Sequence, residues 1–139
     1  MSIAARLECS LCSKQFVAGA ILNLCDCGGP LLVRYNLDAL RHTWNRDSVA
    51  LGPNSMWRYA PALPAMSENS IVSLGEGMTP LIYAGRLGRN LSCDQLFIKD
   101  EGLNPTGSFK ARGLSCAITM CVGLGIKKVA IPSAGNAAI

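Results

Sequence analysis

Four cysteines near the amino terminus restrict the fold more than any other feature of the sequence. They form two close pairs, Cys9-x2-Cys12 and Cys25-x-Cys27, which are separated by 12 residues and followed directly by two glycines. Four thiolates presented by two tight turns suit tetrahedral zinc, and glycine permits the positive φ angles that such turns often use. The pattern therefore predicts a small zinc-ribbon-like module over residues 1–35 with these four cysteines as ligands.

Two other interpretations of the cysteine cluster stay open. The single-residue spacer between Cys25 and Cys27 departs from the common two-residue spacing, so a ribbon remnant with free thiols and a redox pairing remain alternatives. A catalytic zinc-bound water is disfavoured, because four cysteines leave no open coordination position. We expect the single histidine, His42, on a helix surface, and the remaining cysteines, Cys93, Cys116 and Cys121, as small buried hydrophobic residues.

Composition excludes several classes of function. Half of the 139 residues are hydrophobic and 16% are charged, against roughly 25% in typical globular domains, so a folded core is expected. The net charge of +4 comes from scattered Lys and Arg residues, which argues against nucleic-acid binding. The longest weakly polar run, residues 113–126, is shorter than the roughly 20 residues that a membrane span needs. Residues 1–8 lack a signal-peptide pattern, and we expect a cytoplasmic protein without a membrane or nucleic-acid partner.

Residues 36–72 are predicted to form a docked connector. A short helix is expected over residues 36–46, and a break follows at Gly52-Pro53-Asn54. Residues 56–64 mix large aromatic side chains with two prolines, which suits an irregular segment that is pinned across a core surface.

From residue 73 the pattern changes to short strands that alternate with helices. Residues 96–99 are predicted to form a strand, a helix begins near Ser108 with a hydroxyl N-cap, and residues 127–131 start another strand. Apolar residues with helical spacing predict one buried helix face, formed by Leu114, Ala117, Ile118, Cys121 and Val122. Strand, helix and strand at this spacing indicate an α/β fold with a parallel sheet and a crossover helix.

Lys110 lies in the first turn of this predicted helix, after a loop rich in Gly, Pro, Thr and Ser. The helix dipole disfavours an ammonium group there and favours the neutral, nucleophilic amine that a Schiff base requires. The hydroxyls of Thr106 and Ser108, together with the unpaired N–H groups of the helix start, are suited to an anionic group. From the residues alone, a solvated lysine beside a capped helix remains the alternative.

Three motifs occur in a fixed order in the second half of the chain. They are SLGEGMTPL at residues 73–81, NPTGSFK at residues 104–110 with Arg112-Gly113 after it, and SAGNA at residues 133–137. Together with Trp57-Arg58-Tyr59 upstream, this order resembles the threonine synthase branch of the fold type II pyridoxal-phosphate (PLP) enzymes. The cysteine-rich stretch that leads to Val33-Arg34-Tyr35 also resembles the amino-terminal extension of many bacterial and archaeal members. The resemblance runs from about residue 7 to the end.

The resemblance implies a role for each matching residue. Lys110 corresponds to the lysine that bonds covalently to PLP and later moves protons between substrate carbons, and Phe109 to the aromatic residue packed against the cofactor ring. Asn136 corresponds to the asparagine that hydrogen-bonds the 3′ oxygen of the ring, and Ser133, Gly135 and Asn136 belong to the turn that receives the substrate carboxylate. The implied reaction converts O-phospho-L-homoserine and water to L-threonine and phosphate.

Two departures from the family pattern bear on these expectations. Ala134 stands where many members have serine, so another fold type II lyase, such as a threonine dehydratase or a cysteate synthase, stays open beside a non-catalytic zinc-ribbon interaction module. The family's glycine-rich phosphate loop and the hydroxyl residue that faces the pyridine nitrogen follow the asparagine turn and do not occur in these 139 residues. We therefore expect residues 73–139 to be an incomplete PLP-enzyme domain that is inactive alone and belongs to a homodimer when complete.

Overall fold

The computed structural model describes residues 4–137, which contain two small antiparallel sheets. The first sheet has three strands in the order β2–β1–β3, where β1 is Ala4–Cys9, β2 is Gln15–Val17 and β3 is Leu31–Tyr35. Leu7 in the central strand lies opposite Phe16 on one side and Val33 on the other. The tight link between β1 and β2 and the longer link between β2 and β3 carry the two cysteine pairs, so the sheet fixes both pairs at one end.

Two short helices follow the first sheet. Helix α1, Leu37–Thr43, begins where the Asn36 side chain accepts a hydrogen bond of 3.0 Å from the N–H of Ala39. Helix α2 is Arg46–Ala50, and its first turn is closed by reciprocal side-chain bonds between Asn45 and Ser48. His42 is exposed on α1, as predicted.

A 3₁₀ helix, Met56–Ala62, then places aromatic residues against the rest of the molecule. Met56 and Trp57 are each only 4% exposed, which makes them the most buried hydrophobic side chains of the segment that links the two sheets. A second, shorter 3₁₀ helix, Glu68–Ser70, packs against the long helix of the second half. This stretch therefore contributes to the core although it carries little regular structure.

The second half contains a two-stranded sheet and two helices. Strand β4, Leu81–Tyr83, pairs antiparallel with β5, Phe97–Lys99, and helix α3, Gly85–Asn90, lies between them in the chain. A 3₁₀ turn, Glu101–Leu103, leads to helix α4, Lys110–Gly123. Every residue of β4 and β5 is exposed, so both faces of this sheet are open among the described residues.

The α/β class agrees with the prediction, but the parallel crossover does not form among residues 4–137, where both sheets are antiparallel. Residues 127–131, predicted as a strand, are irregular, and β5 pairs with β4 instead. A parallel pair is less stable per residue than an antiparallel one and occurs almost only in sheets covered on both faces. Helix α4 is the one long helix in the described range, so that cover is not provided there.

The predicted buried face of α4 is also wrong in part. Ala111 and Thr119 are its buried residues, whereas Ala117 and Val122 are exposed. Thr119 is fully buried because its hydroxyl oxygen accepts a 2.9 Å hydrogen bond from the N–H of Val72, which draws that side of the helix inward. The side chains of Leu114, Ile118 and Cys121 are half-buried and line an open cavity.

The three cysteines outside the amino-terminal cluster are less buried than predicted. Cys93 is exposed, and Cys116 and Cys121 are half-buried. Cys93 follows the last turn of α3, where Cys93 N–H reaches back to the carbonyl of Gly88 and leaves the side chain on the surface. Within the described range, no helix is long and apolar enough to cross a membrane.

Candidate functional site

The four amino-terminal cysteines converge on one point. The sulfur atoms of Cys9, Cys12, Cys25 and Cys27 all lie within 4.8 Å of one another. Cys9 and Cys27 approach to 3.5 Å, and Cys12 and Cys25 approach to 3.6 Å. Zinc–sulfur bonds of about 2.3 Å place tetrahedral ligands about 3.8 Å apart, so these separations are close to a zinc tetrahedron. All four cysteines are free of disulfide bonds.

Backbone turns hold each cysteine pair in place. The N–H groups of Leu11 and Cys12 donate to the sulfur of Cys9 at 3.4 and 3.5 Å. In the second turn, Gly28 has φ +82° and donates its N–H to the carbonyl of Cys25. A Cβ atom on Gly29 would lie 2.6 Å from the sulfur of Cys9, so glycine is required where the two turns meet. The single-residue spacer between Cys25 and Cys27 therefore still allows the four sulfur atoms to converge.

Four ionised thiolates this close together would repel one another. A hydrogen bond from the N–H of Cys12 lowers the pKa of Cys9. Burial raises this pKa, but a further hydrogen bond from the N–H of Leu11 lowers it again, and the pKa of Cys9 falls to about 6. The N–H of Gly29 lowers the pKa of Cys27, but the other three sulfur atoms raise it by more, to about 12. Full ionisation needs a cation among the sulfurs, because a bound metal reverses this repulsion. The donor set fits a soft divalent metal such as zinc.

Lys110 is the first residue of α4, and its side chain is exposed. The helix begins one residue later than predicted: Phe109 is the N-cap residue and makes no side-chain capping bond, so the predicted serine cap is wrong. Gly107, with φ +68°, turns the chain into the helix, and its N–H donates to the carbonyl of Asn104 at 2.8 Å. The first N–H groups of α4 consequently lack a capping side chain.

An ion pair anchors the first turn of α4. Arg112 donates from Nε and Nη2 to the two carboxylate oxygens of Glu101 at 2.7 and 2.8 Å. Thr79 donates its hydroxyl to the same carboxylate, and Lys99 donates to the carbonyl of Thr79. The guanidinium of Arg112 holds the pKa of Glu101 well below its usual range. This planar pairing fixes the helical turn that carries Lys110.

Asn104 joins that anchor to the segment before β4. Its amide donates to Glu101 Oε2 at 2.9 Å, and its carbonyl oxygen accepts from the N–H of Gly77 at 3.0 Å. Gly77 has φ +109°, and a Cβ there would lie 2.5 Å from the backbone nitrogen of Met56. Two of the three sequence motifs therefore touch directly at this point.

Glu76 is a buried carboxylate and only 1% exposed. It accepts hydrogen bonds from the indole N–H of Trp57 at 3.0 Å, from Ser115 at 2.6 Å and from the N–H of Leu74 at 2.8 Å. Burial raises the pKa of Glu76, but hydrogen bonds, first that from Ser115 and then those that include the N–H of Leu74 and the hydroxyl of Ser73, lower it by more. An ionised Glu76 thus ties the 3₁₀ helix at Trp57 to α4.

An open apolar cavity of about 530 Å³ lies beside α4. Thr106 and Ala111 line it near the helix start, and Ile118 and Cys121 line it farther along. The hydroxyl oxygens of Thr106 and Ser108 are buried without a hydrogen-bond partner among the described residues. The Lys110 amine and the two unpartnered hydroxyls lie within five residues of sequence, and together these groups suit a ligand that carries both an aldehyde and an anionic group, as PLP does.

None of the predicted cofactor- and substrate-binding residues, Lys110 included, lines that cavity. Phe109 is 64% exposed, and Asn136 is also exposed. The hydroxyl of Ser133 donates to the carbonyl of Gly135 at 2.7 Å and accepts from its N–H at 3.1 Å, which forms a local turn. Lys110 and this turn lie at the surface, so their roles stay predictions.

Sequence reasoning missed the anchoring side chains. Glu76 and Arg112 lie within the motifs and Glu101 three residues before the second motif, but none of them was assigned a role, although they form the most connected polar groups around α4. An unusual carboxylate in a glycine-flanked, otherwise apolar motif was the available signal for Glu76. Sequence offered no comparable signal that Glu101 and Arg112, 11 residues apart, would pair.

Comparison with known proteins agrees with the motif order. Residues 72–139 match the family of pyridoxal-phosphate dependent enzymes. The threonine synthase of Methanocaldococcus jannaschii is 36% identical over 129 residues, which is 93% of this chain and 32% of that protein. The threonine synthase of Methanosarcina acetivorans is 34% identical over 94% of this chain and 31% of its own length. That of Synechocystis is 44% identical over 56% of this chain and 21% of its own length.

The chain spans about a third of the length of the first two of these relatives. Similarity to them extends through the cysteine-rich module as well as the lysine motif, because it covers more than nine-tenths of the chain. The chain therefore belongs to the pyridoxal-phosphate-dependent enzyme family, in its threonine synthase-like branch, and is shorter than the full-length enzymes it matches.

Proposed function

We propose that this chain supplies the amino-terminal part of a PLP-dependent threonine synthase, which converts O-phospho-L-homoserine and water to L-threonine and phosphate. The observation that carries the proposal is Lys110 at the start of α4, on a turn fixed by the Glu101–Arg112 pair. The similarity to archaeal threonine synthases over more than nine-tenths of the chain supports this choice of reaction.

In this proposal PLP, when bound, serves as an electron sink for chemistry at the substrate's α- and β-carbons. Lys110 would hold the cofactor through Nζ and carry protons between substrate carbons on the same atom. Phe109 would cover the ring, and Asn136 would donate to its 3′ oxygen. Backbone N–H groups at Ser133, Gly135 and Asn136 would bind the substrate carboxylate.

The hydrogen bonds that anchor the start of α4 would have a separate, positioning role in this mechanism. Arg112 lies two residues after Lys110 on the same helix and is fixed by Glu101, so the helix start cannot rotate without breaking two charge-assisted hydrogen bonds. Asn104 restrains the loop before the helix in the same way. Rigid support of this kind is what a lysine needs to reach a reacting atom repeatedly.

We also propose that the four-cysteine cluster holds a structural zinc ion. Four sulfurs fill the tetrahedral shell, so the metal stabilises the module and takes no part in the reaction. A non-catalytic interaction module is the competing assignment, and it shares the zinc site but requires no reactive lysine.

Covalent labelling of the lysines tests the assignment of Lys110. The protein is incubated with PLP and reduced with borohydride, and the modified peptides are identified by mass spectrometry. We expect preferential labelling of Lys110 over the other four lysines and its loss in Lys110→Ala. Lys128→Ala, which removes another exposed lysine, is the matched control. Even labelling of all lysines would contradict the PLP-site assignment.

Substrate turnover by the protein isolated from its source separates the reactions. Release of phosphate with formation of threonine from O-phospho-L-homoserine supports threonine synthase. Conversion of threonine to its 2-oxo acid would indicate a dehydratase, and turnover of O-phosphoserine with sulfite would indicate a cysteate synthase. Zinc content with no lysine labelling and no turnover would favour the interaction module.

A further inference from the structure

Another open cavity, of about 330 Å³, lies between the connector, strand β5 and helix α4. The charged residues that line it are all basic: Arg58, Lys99 and Arg112. No aspartate or glutamate of the described residues lines it. The cavity shares no residue with the 530 Å³ cavity, and none of the residues assigned above to PLP or to the substrate lines it. Cations gathered around one space repel one another unless an anion balances them.

Only one of the three cations is balanced within the described chain. Glu101 neutralises Arg112 through two hydrogen bonds. Arg58 donates from Nε and Nη2 to two backbone carbonyls of the preceding turn, at 3.1 and 3.3 Å, and Lys99 donates to the carbonyl of Thr79. Carbonyl groups carry no net charge, so Arg58 and Lys99 have no ion-pair partner among residues 4–137.

The same side chains keep donor groups that the fold does not use. Nη1 of Arg58 and Nη1 of Arg112 make no hydrogen bond in the described range, and the Lys99 ammonium uses only part of its donor capacity. The phenol of Tyr59 lines the same space. Guanidinium, ammonium and phenol groups all donate to carboxylate oxygens, and the charged ones do so most strongly.

Two methionines form an apolar part of the lining. Met56 is only 4% exposed, whereas Met78 is 54% exposed and has φ +51°, a left-handed conformation that is strained in residues other than glycine. Strain of this kind is concentrated at ligand-binding and switch positions. The ring of Tyr59, which packs edge-on against Trp44 at 6.1 Å, adds apolar surface. The lining therefore combines basic donors with a short apolar surface.

We propose that this cavity binds a small organic acid, with its carboxylate between Arg58 and Lys99 and its short apolar part against the two methionines. A carboxylate accepts several hydrogen bonds at once and balances the charges that the described chain leaves unpaired. A volume of about 330 Å³ is near the lower end for small-molecule sites, which run from about 300 to 1,000 Å³. Inorganic phosphate would balance the charges as well, but it has no apolar part to cover the methionines.

Titration with sodium butanoate tests the site, followed by NMR of the ¹⁵N-labelled full chain at low and constant ionic strength. Butanoate carries a carboxylate and a short apolar chain, and butanamide is its neutral control. We expect butanoate to bind with a Kd of about 1 mM, and butanamide to bind at least about tenfold more weakly. Acetate lacks most of the apolar chain and should bind about fivefold more weakly than butanoate.

Two variants remove the unpaired cations one at a time, each with a charge-matched control. They are Arg58→Gln with control Arg89→Gln, and Lys99→Gln with control Lys128→Gln; both control positions are exposed and line neither cavity. Butanoate should bind about five- to tenfold more weakly to each site variant and unchanged to the controls. The amide of Lys99→Gln can still donate to the Thr79 carbonyl, so this variant decides the question if thermal unfolding shows that Arg58→Gln does not fold.

Three results would overturn the site. The first is the absence of any shift with butanoate, and the second is equal binding of butanoate and butanamide, which would remove the role of charge. The third is unchanged affinity in both site variants, which would place the acid elsewhere, such as at the turn of residues 133–136. Binding of inorganic phosphate but not butanoate, weakened by the same variants, would reject an organic acid as the ligand. Labelling of Lys110 by PLP is measured separately, so failure of this site leaves the proposed function standing, and the reverse also holds.

Discussion

The cysteine module and the lysine region, by which we mean the residues around Lys110 at the start of α4, differ in how much of each site their own residues build. In the cysteine module, a three-stranded sheet and two turns bring four sulfurs within 4.8 Å of one another. In the lysine region, the polar anchors Glu76 and Glu101 are fully bonded, but both faces of the β4–β5 sheet and one wall of α4 stay open. The four sulfurs are thus brought together by their own module, whereas the surroundings of Lys110 lack apolar cover among the described residues.

This contrast has a physical origin. The turns that carry the cysteines depend on local backbone hydrogen bonds, such as Gly28 N–H to the carbonyl of Cys25, that close within a few residues. A PLP-enzyme sheet depends on parallel strands whose partners come from distant parts of a chain. A short stretch of sequence can therefore finish a ribbon while it only begins an α/β domain.

The largest effect is expected from breaking the cysteine module. Cys9→Ser should reduce bound zinc from about one ion per chain to near zero and unfold residues around the cluster, since structural zinc contributes folding free energy directly. Zinc content by elemental analysis and thermal unfolding with and without chelator measure this. Cys93→Ser, at an exposed cysteine, is the control and should keep both zinc and stability.

Acid should weaken the lysine region through Glu101. Its pKa is lowered in the folded protein from an ordinary value of 4.5, chiefly by Arg112, so its stabilisation is present above about pH 4.5 and is lost as the pH falls below that value. Glu101→Gln should cost about 1–2 kcal/mol at neutral pH and flatten the acid dependence of the urea midpoint. Asp94→Asn, at an exposed carboxylate, is the control, and an equally steep acid dependence in Glu101→Gln would contradict the role of this pair.

A smaller effect should follow from loosening the tie between the connector and α4. Trp57→Phe removes the indole N–H that donates to Glu76 and Ser115 while keeping most of the ring, so a loss of about 1 kcal/mol is expected in chemical denaturation. Trp44→Phe is the matched control, because Trp44 is half-buried and packs edge-on against Tyr59. An equal loss in both variants would assign the effect to ring packing.

The smallest effect is expected where an ion pair is fully solvated. Asp38 and Arg41 pair at 3.4 Å on α1 with side chains that are 86% and 79% exposed. Asp38→Asn should change the free energy of unfolding by less than about 0.5 kcal/mol, because water screens the charges. A loss of unfolding free energy as large as that of Glu101→Gln would show that burial does not explain a difference in strength between the Asp38–Arg41 and Glu101–Arg112 pairs.

Several elements were predictable because local signals specify them. Asn36 starts α1 with a side-chain bond, and the strand predicted at residues 96–99 forms over Phe97–Lys99. Lys110 was expected in the first turn of a helix and is there. Helix caps, helix breaks and short apolar runs depend on residues that are close in sequence, so they can be predicted from the sequence.

Other features could not be predicted from the sequence, because they depend on which distant segments of the chain contact each other. Sequence periodicity cannot tell whether β5 pairs with β4 or with residues 127–131, since both have strand character. The buried side of α4 followed the Thr119–Val72 hydrogen bond, which joins residues 47 positions apart, and not the apolar stripe. Glu76 is buried for a similar reason, because its partners come from three separate segments.

The sequence by itself determined the spacing of the cysteines, the motif order that identifies the family and the place of Lys110 at a helix start. Only the tertiary structure decided that Arg112 and Glu101 pair at that helix start, that Glu76 accepts a hydrogen bond from Trp57, and that the hydroxyls of Thr106 and Ser108 have no partner among the described residues. Motifs and caps are set by neighbouring residues, whereas burial and charge pairing depend on distances between segments far apart in the chain.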